Sequence, residues 1–136
     1  IWFGGQTMAA GGQWGLTILS TAQHKIHHTW FEAFNLGILC NIMVCLAVWT
    51  SFKMRSESGK LIMIFWCLFV FITSGYEHSI ANMTLLSVSL LNPMNAGISL
   101  AGYLYNILVV TLGNMVGGIL LLSLPYYIIS KKDQAL

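Results

Sequence analysis

Charge is what this sequence has least of: six Lys or Arg and four Asp or Glu among 136 residues, 7% against 57% apolar. Ordinary soluble domains carry about 25% charged residues, so water is not the main solvent expected here. The long uncharged runs would have to hide in a core that a soluble protein of this size is too small to build, whereas a bilayer supplies apolar surroundings directly. Cysteine is scarce as well. Cys40, Cys45 and Cys67 all lie within apolar runs, where inert packing is favoured over a disulfide, metal or redox site. Also missing is a charged leader followed by a small-residue cleavage site, so no signal peptide is read. The chain opens on Ile1, and an earlier portion is expected to precede it.

Three runs have the length and polarity of membrane spans, for which about 20 apolar residues suffice: 30–52, 61–92 and 101–130. Residues 1–15, rich in Gly and carrying Trp2 and Trp14, suit the tail of a preceding span with its interfacial aromatics. Lys53, Arg55 and Lys60 separate the first two runs, Lys131 and Lys132 follow the third, and only Lys25 stands on the other side. The positive-inside rule then makes the Ser51 to Lys60 loop and the C-terminus cytoplasmic, with Ala22 to Thr29 outside. The second run is too long for one straight helix: at 1.5 Å per residue it would extend roughly 48 Å across a hydrocarbon layer of about 30 Å. A break is expected near 74–80, where Gly75 stands beside Glu77 and His78. Broken helices survive at membrane depth only where the freed backbone lines a cavity or is buried in protein, which points to a substrate path.

Ionisable groups inside a bilayer cost at least a few kcal/mol and are functional by default, which singles out Glu77 and His78. The competing reading is a neutral His78 that merely orients helix packing. A haem ligand would require a second axial group, and the other histidines all cluster outside the membrane. At helical spacing Phe71, Gly75, His78 and Asn82 share one face, and so do Phe34, Gly37, Asn41, Val44 and Val48. Asn41, the only polar member of its stripe, is either interhelical glue or pore lining. In the third run Gly113 and Gly117 form a GxxxG pair suited to close backbone approach. Asn114, between them, is placed to satisfy loose backbone groups of a neighbouring broken helix, and Pro125 is expected only to bend its helix. His24, Lys25, His27 and His28 form a basic cluster at the outer mouth. A positive rim that concentrates anions suits it better than zinc, since no Cys or acid accompanies it to complete a tetrahedron. The sequon at Asn82 lies too deep for modification.

The runs TAQHKIHH (Thr21 to His28), GILCNIMVCLAVW (Gly37 to Trp49), SGYEHSIANM (Ser74 to Met83) and TLGNMVGG (Thr111 to Gly118) closely resemble signatures of the formate/nitrite transporter family, and most of all its formate channels. The resemblance implies an all-α membrane protein: an aquaporin-like protomer of six helices, built of two inverted three-helix repeats and assembled as a homopentamer with one anion path per protomer. Of this protomer the chain would be the second repeat, with the end of the third helix. The family's pore threonine and remaining constriction residues belong to the first repeat. Carried onto matching positions, the family's path residues are Lys25 at the outer vestibule, Asn41 and Val44 on the fourth helix, Phe71 at a hydrophobic constriction, Glu77 and His78 at the centre, and Asn114 on the sixth helix.

The expected function is passage of a small monovalent anion, formate first and nitrite or hydrosulfide as alternatives, through a bacterial cytoplasmic membrane. No enzymatic role, cofactor, metal or nucleic acid is expected. A bare anion meets a heavy desolvation cost at an apolar constriction, and a proton removes it. His78 would hydrogen-bond the anion or donate that proton. Burial and ionised Glu77 act on its titration in opposite senses, and a group titrating near neutrality suits a switch between anion export and acid import. A neutral-solute channel would have little use for Lys25, and a haem-anchoring subunit would carry no flux.

Overall fold

The computed structural model describes residues 12–91 and 97–133, and every described element is helical. In chain order these are α1 (Gln13–Ile26), α2 (Trp30–Lys53), α3 (Glu57–Thr73), α4 (Ser79–Leu90), α5 (Leu100–Met115), a π-helical segment (Val116–Ser123) and α6 (Leu124–Asp133). Most of the expected tail at 1–15 lies outside the described residues, but its last part opens α1, which continues well past residue 15 to Ile26.

Local sequence accounts for most helix starts. Thr29 and Glu32 form a capping box at α2, each side chain accepting from the other's backbone N–H. Ser56 caps α3 through Gly59 N–H, and Ser99 caps α5 through Gly102 N–H. α2 has 24 residues with a mean hydropathy of 1.9, and the continuous helix Leu100–Lys131 has 32 residues at 2.2. Each is long and apolar enough to cross a membrane. The second long helix changes pitch from Val116 to Ser123, just ahead of Pro125, whose ring and missing N–H disturb the α-helical ladder one turn back.

α2 is the central strut, packing against α3, α5 and the π-helical segment, while α4 lies against α1 and α5. Small residues make this contact. A Cβ on Gly113 would run into the Phe34 carbonyl and one on Gly117 into the Ile38 carbonyl, so the two glycines let the third run lie directly on the α2 backbone. Ala33, Val109 and Val110 form a small apolar core beside Phe34 and Tyr105. Large apolar side chains face outward instead: Phe65, Trp66, Ile72, Ile119 and Leu121 are all more than half exposed. Such an inside-out distribution suits a chain surrounded by lipid or by further apolar helices.

Candidate functional site at the helix break

The break is written into the backbone of Ser74 to His78. Gly75 adopts φ +67°, and Tyr76 N–H donates to the Phe71 carbonyl (3.1 Å) while Gly75 N–H donates to Ile72 (3.2 Å). That pattern is a Schellman stop, and the left-handed residue in it is Gly because a Cβ disfavours the conformation. The freed backbone then finds partners on other helices. Glu77 N–H donates to the Leu36 carbonyl of α2 (3.4 Å). Asn114 Nδ2 donates to the Glu77 carbonyl (3.0 Å) and to the Gly37 carbonyl (2.9 Å), and its Oδ1 accepts from Ser79 N–H (3.2 Å) and Ser79 Oγ (3.1 Å). One buried amide on α5 thus ties the gap on both sides to α2. His78 caps the new helix: its Nδ1 accepts from Ala81 N–H at 3.4 Å, which assigns the proton of the neutral ring to Nε2.

Around this break lies a cavity of about 430 Å³, bounded by Thr21, His24 and Lys25 of α1, His28, Phe71 and Ile72 at the end of α3, Gly75 to His78, and Ala81, Asn82 and Leu85 of α4. Phe71, Gly75, His78 and Asn82 do share a surface, but not because they ride one helical face. The helix stops between them, and the turn brings the four to the same wall. The Phe71 and His78 rings are 6.1 Å apart between centroids.

Glu77 is the most buried acid of the described residues, 1% exposed, and it is not alone. Lys25 Nζ lies 2.6 Å from its Oε1, Asn82 Nδ2 donates to its Oε2, and His28 Nε2 stands 3.5 Å from Oε1. An ion pair of this kind needs extra hydrogen bonds to offset desolvation, and Asn82 supplies one. Lys25 is therefore not a free cation on an outer rim: its side chain turns inward and its charge is shared with Glu77. His28 stands between two carboxylates, with Glu32 Oε2 3.9 Å from its Nδ1.

Of the residues singled out from sequence, Lys25, Phe71, Glu77 and His78 meet on the cavity wall. Asn114 stands behind it, holding backbone. Asn41 donates to the Asn114 carbonyl (2.6 Å), an interhelical contact, and Val44 lines a separate groove with Ile64 and Leu68. Sequence reasoning missed Asn106, which is fully buried, donates from Nδ2 to the Lys25 carbonyl (2.8 Å) and accepts from Asn82 (2.9 Å) at Oδ1. A signal was present: Asn106, Val109, Val110, Gly113, Asn114 and Gly117 recur at steps of one, three or four on α5 and its continuation, and all are buried.

Apolar spanning helices, an inside-out surface and a helix interrupted around a buried ion pair define a helical membrane protein of the discontinuous-helix type. The profile of the formate/nitrite transporter family matches residues 1–128. The chain belongs to that family. It is 50% identical to the formate channel FocA of Haemophilus influenzae over 87% of this chain and 48% of the relative. With the nitrite transporter NirC of Escherichia coli K12 it shares 46% identity over 73% of this chain and 37% of the relative. A solved pentameric formate channel with formate bound superposes with a TM-score of 0.78 at 34% identity, covering 92% of this chain and 56% of that one. The chain spans about half the length of the curated relatives it matches.

Proposed function

We propose that the full-length protein passes small monovalent anions, formate foremost, across a bacterial cytoplasmic membrane as a homopentamer with one path per protomer. The Ser51 to Lys60 loop and the C-terminus lie in the cytoplasm, and the role is transport rather than catalysis. Membership of the family, the likeness to FocA and the pentameric assembly of the solved relative support this reading. The observation that carries it is His78, stationed at a helix gap on the wall of a cavity that reaches Lys25 and His28.

The anion enters between α1 and α4 and meets a site whose polarity is poised rather than strongly positive, since Glu77 already answers Lys25. Deeper in, neutral His78 offers Nε2–H while its Nδ1 is held by the α4 cap. The ring is thereby a hydrogen-bond donor to the anion as it stands. For it to donate a proton outright, His78 must first carry one on each nitrogen, which means giving up the bond from Ala81. The N-terminal, positive end of α4 begins at Ser79, directly beside the ring, and adds to the attraction. Past this point the solute faces Phe71, where passage of the neutral acid avoids the desolvation of a bare charge.

Formate flux into proteoliposomes of the full-length protein tests this, with His78→Phe and His78→Asn compared with wild type across a pH series. Wild-type pH dependence in both variants removes His78 from the mechanism. Nitrite and hydrosulfide remain the alternative substrates, supported by the likeness to NirC for nitrite, and competition of each against labelled formate ranks the three.

A further inference from the structure

Behind the cavity, out of reach of any solute, Asn106 joins the main chain under Lys25 to the carboxylate that Lys25 pairs with. We propose that Asn106 is a positioning residue for transport: it sets the geometry of the Lys25–Glu77 pair without touching the substrate. The inference rests on the transport function proposed above.

The Lys25 carbonyl lies in the last turn of α1, where helical carbonyls have no partner of their own, and Asn106 Nδ2 fills that role at 2.8 Å. On its other side Asn106 Oδ1 accepts from Asn82 Nδ2 at 2.9 Å, and Asn82 Nδ2 also donates to Glu77 Oε2. The two ends of this chain accept only: one is a backbone carbonyl, the other a carboxylate. Each amide therefore has one permitted orientation. Asn106 must present nitrogen to Lys25 and oxygen to Asn82, and Asn82 must then spend both N–H groups on Asn106 and Glu77. Flipping either amide sets oxygen against oxygen at a buried contact, which low-dielectric surroundings penalise.

The result is a strut from α1 through α5 to α4. Lys25 Nζ meets Glu77 Oε1 at 2.6 Å, while the strut holds the Lys25 carbonyl and the other carboxylate oxygen of Glu77. A buried Asn that merely glued α1, α4 and α5 together would support assembly and nothing else. A positioning Asn also changes how the pair responds to protons, together with the titratable groups around it: His28 and His24 from the α1 end, Glu32 of α2 and His78 at the break.

The test uses full-length protein in proteoliposomes, formate as the probe, and two substitutions. Asn106→Leu removes both ends of the strut. Asn106→Asp keeps the oxygen facing Asn82 but opposes the Lys25 carbonyl with another oxygen. The expected result is that the variants assemble like wild type while formate flux falls about tenfold, equivalent to about 1.4 kcal/mol in barrier, and the midpoint of the flux-against-pH curve moves. Should Asn106→Leu not assemble, Asn106→Asp decides the matter alone. Wild-type flux and pH midpoint in an assembled variant overturn the positioning role. So does assembly as the only property altered. Absence of formate flux from the wild-type protein overturns the transport reading itself and this inference with it, an outcome seen before any variant is compared.

Discussion

Lys25 Nζ and Glu77 Oε1 stand 2.6 Å apart although 52 residues separate them in the chain, and the carboxylate is 1% exposed. Breaking a buried pair by removing one partner strands the other. Lys25→Met is expected to cost about 3–5 kcal/mol, read as a lower thermal midpoint of the detergent-solubilised full-length protein. Lys25→Met combined with Glu77→Gln should recover most of that loss, because no charge is then left uncompensated. A double variant no more stable than Lys25→Met shows that the pair does not govern stability.

Three of the four Asn114 side-chain contacts go to a gap that has no other described way to hold Glu77 O and Ser79 N–H, and the fourth goes to the Gly37 carbonyl of α2. Asn114→Leu leaves buried backbone groups unsatisfied, each worth about 1–3 kcal/mol. The expected signature is local: faster hydrogen exchange at Ser79 and its neighbours, with the amides in the middle of α2 protected as before. Uniform deprotection of the whole chain would point to global unfolding instead.

Two glycines should respond in opposite ways to the same change. Gly113→Ala drives a methyl into the Phe34 carbonyl, a backbone atom that cannot step aside, and overpacking of this kind costs about 1–3 kcal/mol. At Gly59 the new methyl meets the end of the Met54 side chain at 2.8 Å, which can swing away, and Ala favours the helix by about 1 kcal/mol. Thermal melts of the two variants should therefore fall on either side of wild type. Equal loss in both would remove the close α2–α5 approach as the reason for Gly113.

Gly75 separates space from conformation. Nothing lies within 4 Å of a Cβ built there, yet φ is +67°. Gly75→Ala is expected to cost about 1–2 kcal/mol through the left-handed backbone alone, and Gly75→Asn less, since Asn tolerates that region. Ranking Ala below Asn in stability checks the assignment, and the reverse order contradicts it.

The break illustrates how far residue patterns reach. The length of the run 61–92 set against the thickness of a bilayer, with Gly75 beside two ionisable groups, points to an interruption, and the helices stop at Thr73 and resume at Ser79. Asn114 between two glycines suggested a partner for loose backbone, and its side chain holds Glu77 O and Ser79 N–H. Lys25 went differently. As one cation among histidines it read as an anion-gathering rim, because nothing local reveals that its side chain turns inward to Glu77. Asn106 went unnoticed although it stands in helical register with Gly113, Asn114 and Gly117, because register places it on the packed face without saying which groups on the neighbouring helices it meets.

What the sequence by itself determined is the solvent, the element type and the identity of the groups placed at depth, since hydropathy, capping residues and left-handed glycine act over a few neighbouring residues. Only the tertiary structure decided which of those groups touch: that Lys25 answers Glu77, that Asn41 reaches the Asn114 carbonyl while Val44 looks elsewhere, and that Asn106 braces the pair from behind. Such contacts depend on how far one helix slides and turns against another, and no stretch of chain sets that on its own; between α2 and the third run it is the close backbone approach at Gly113 and Gly117 that does so.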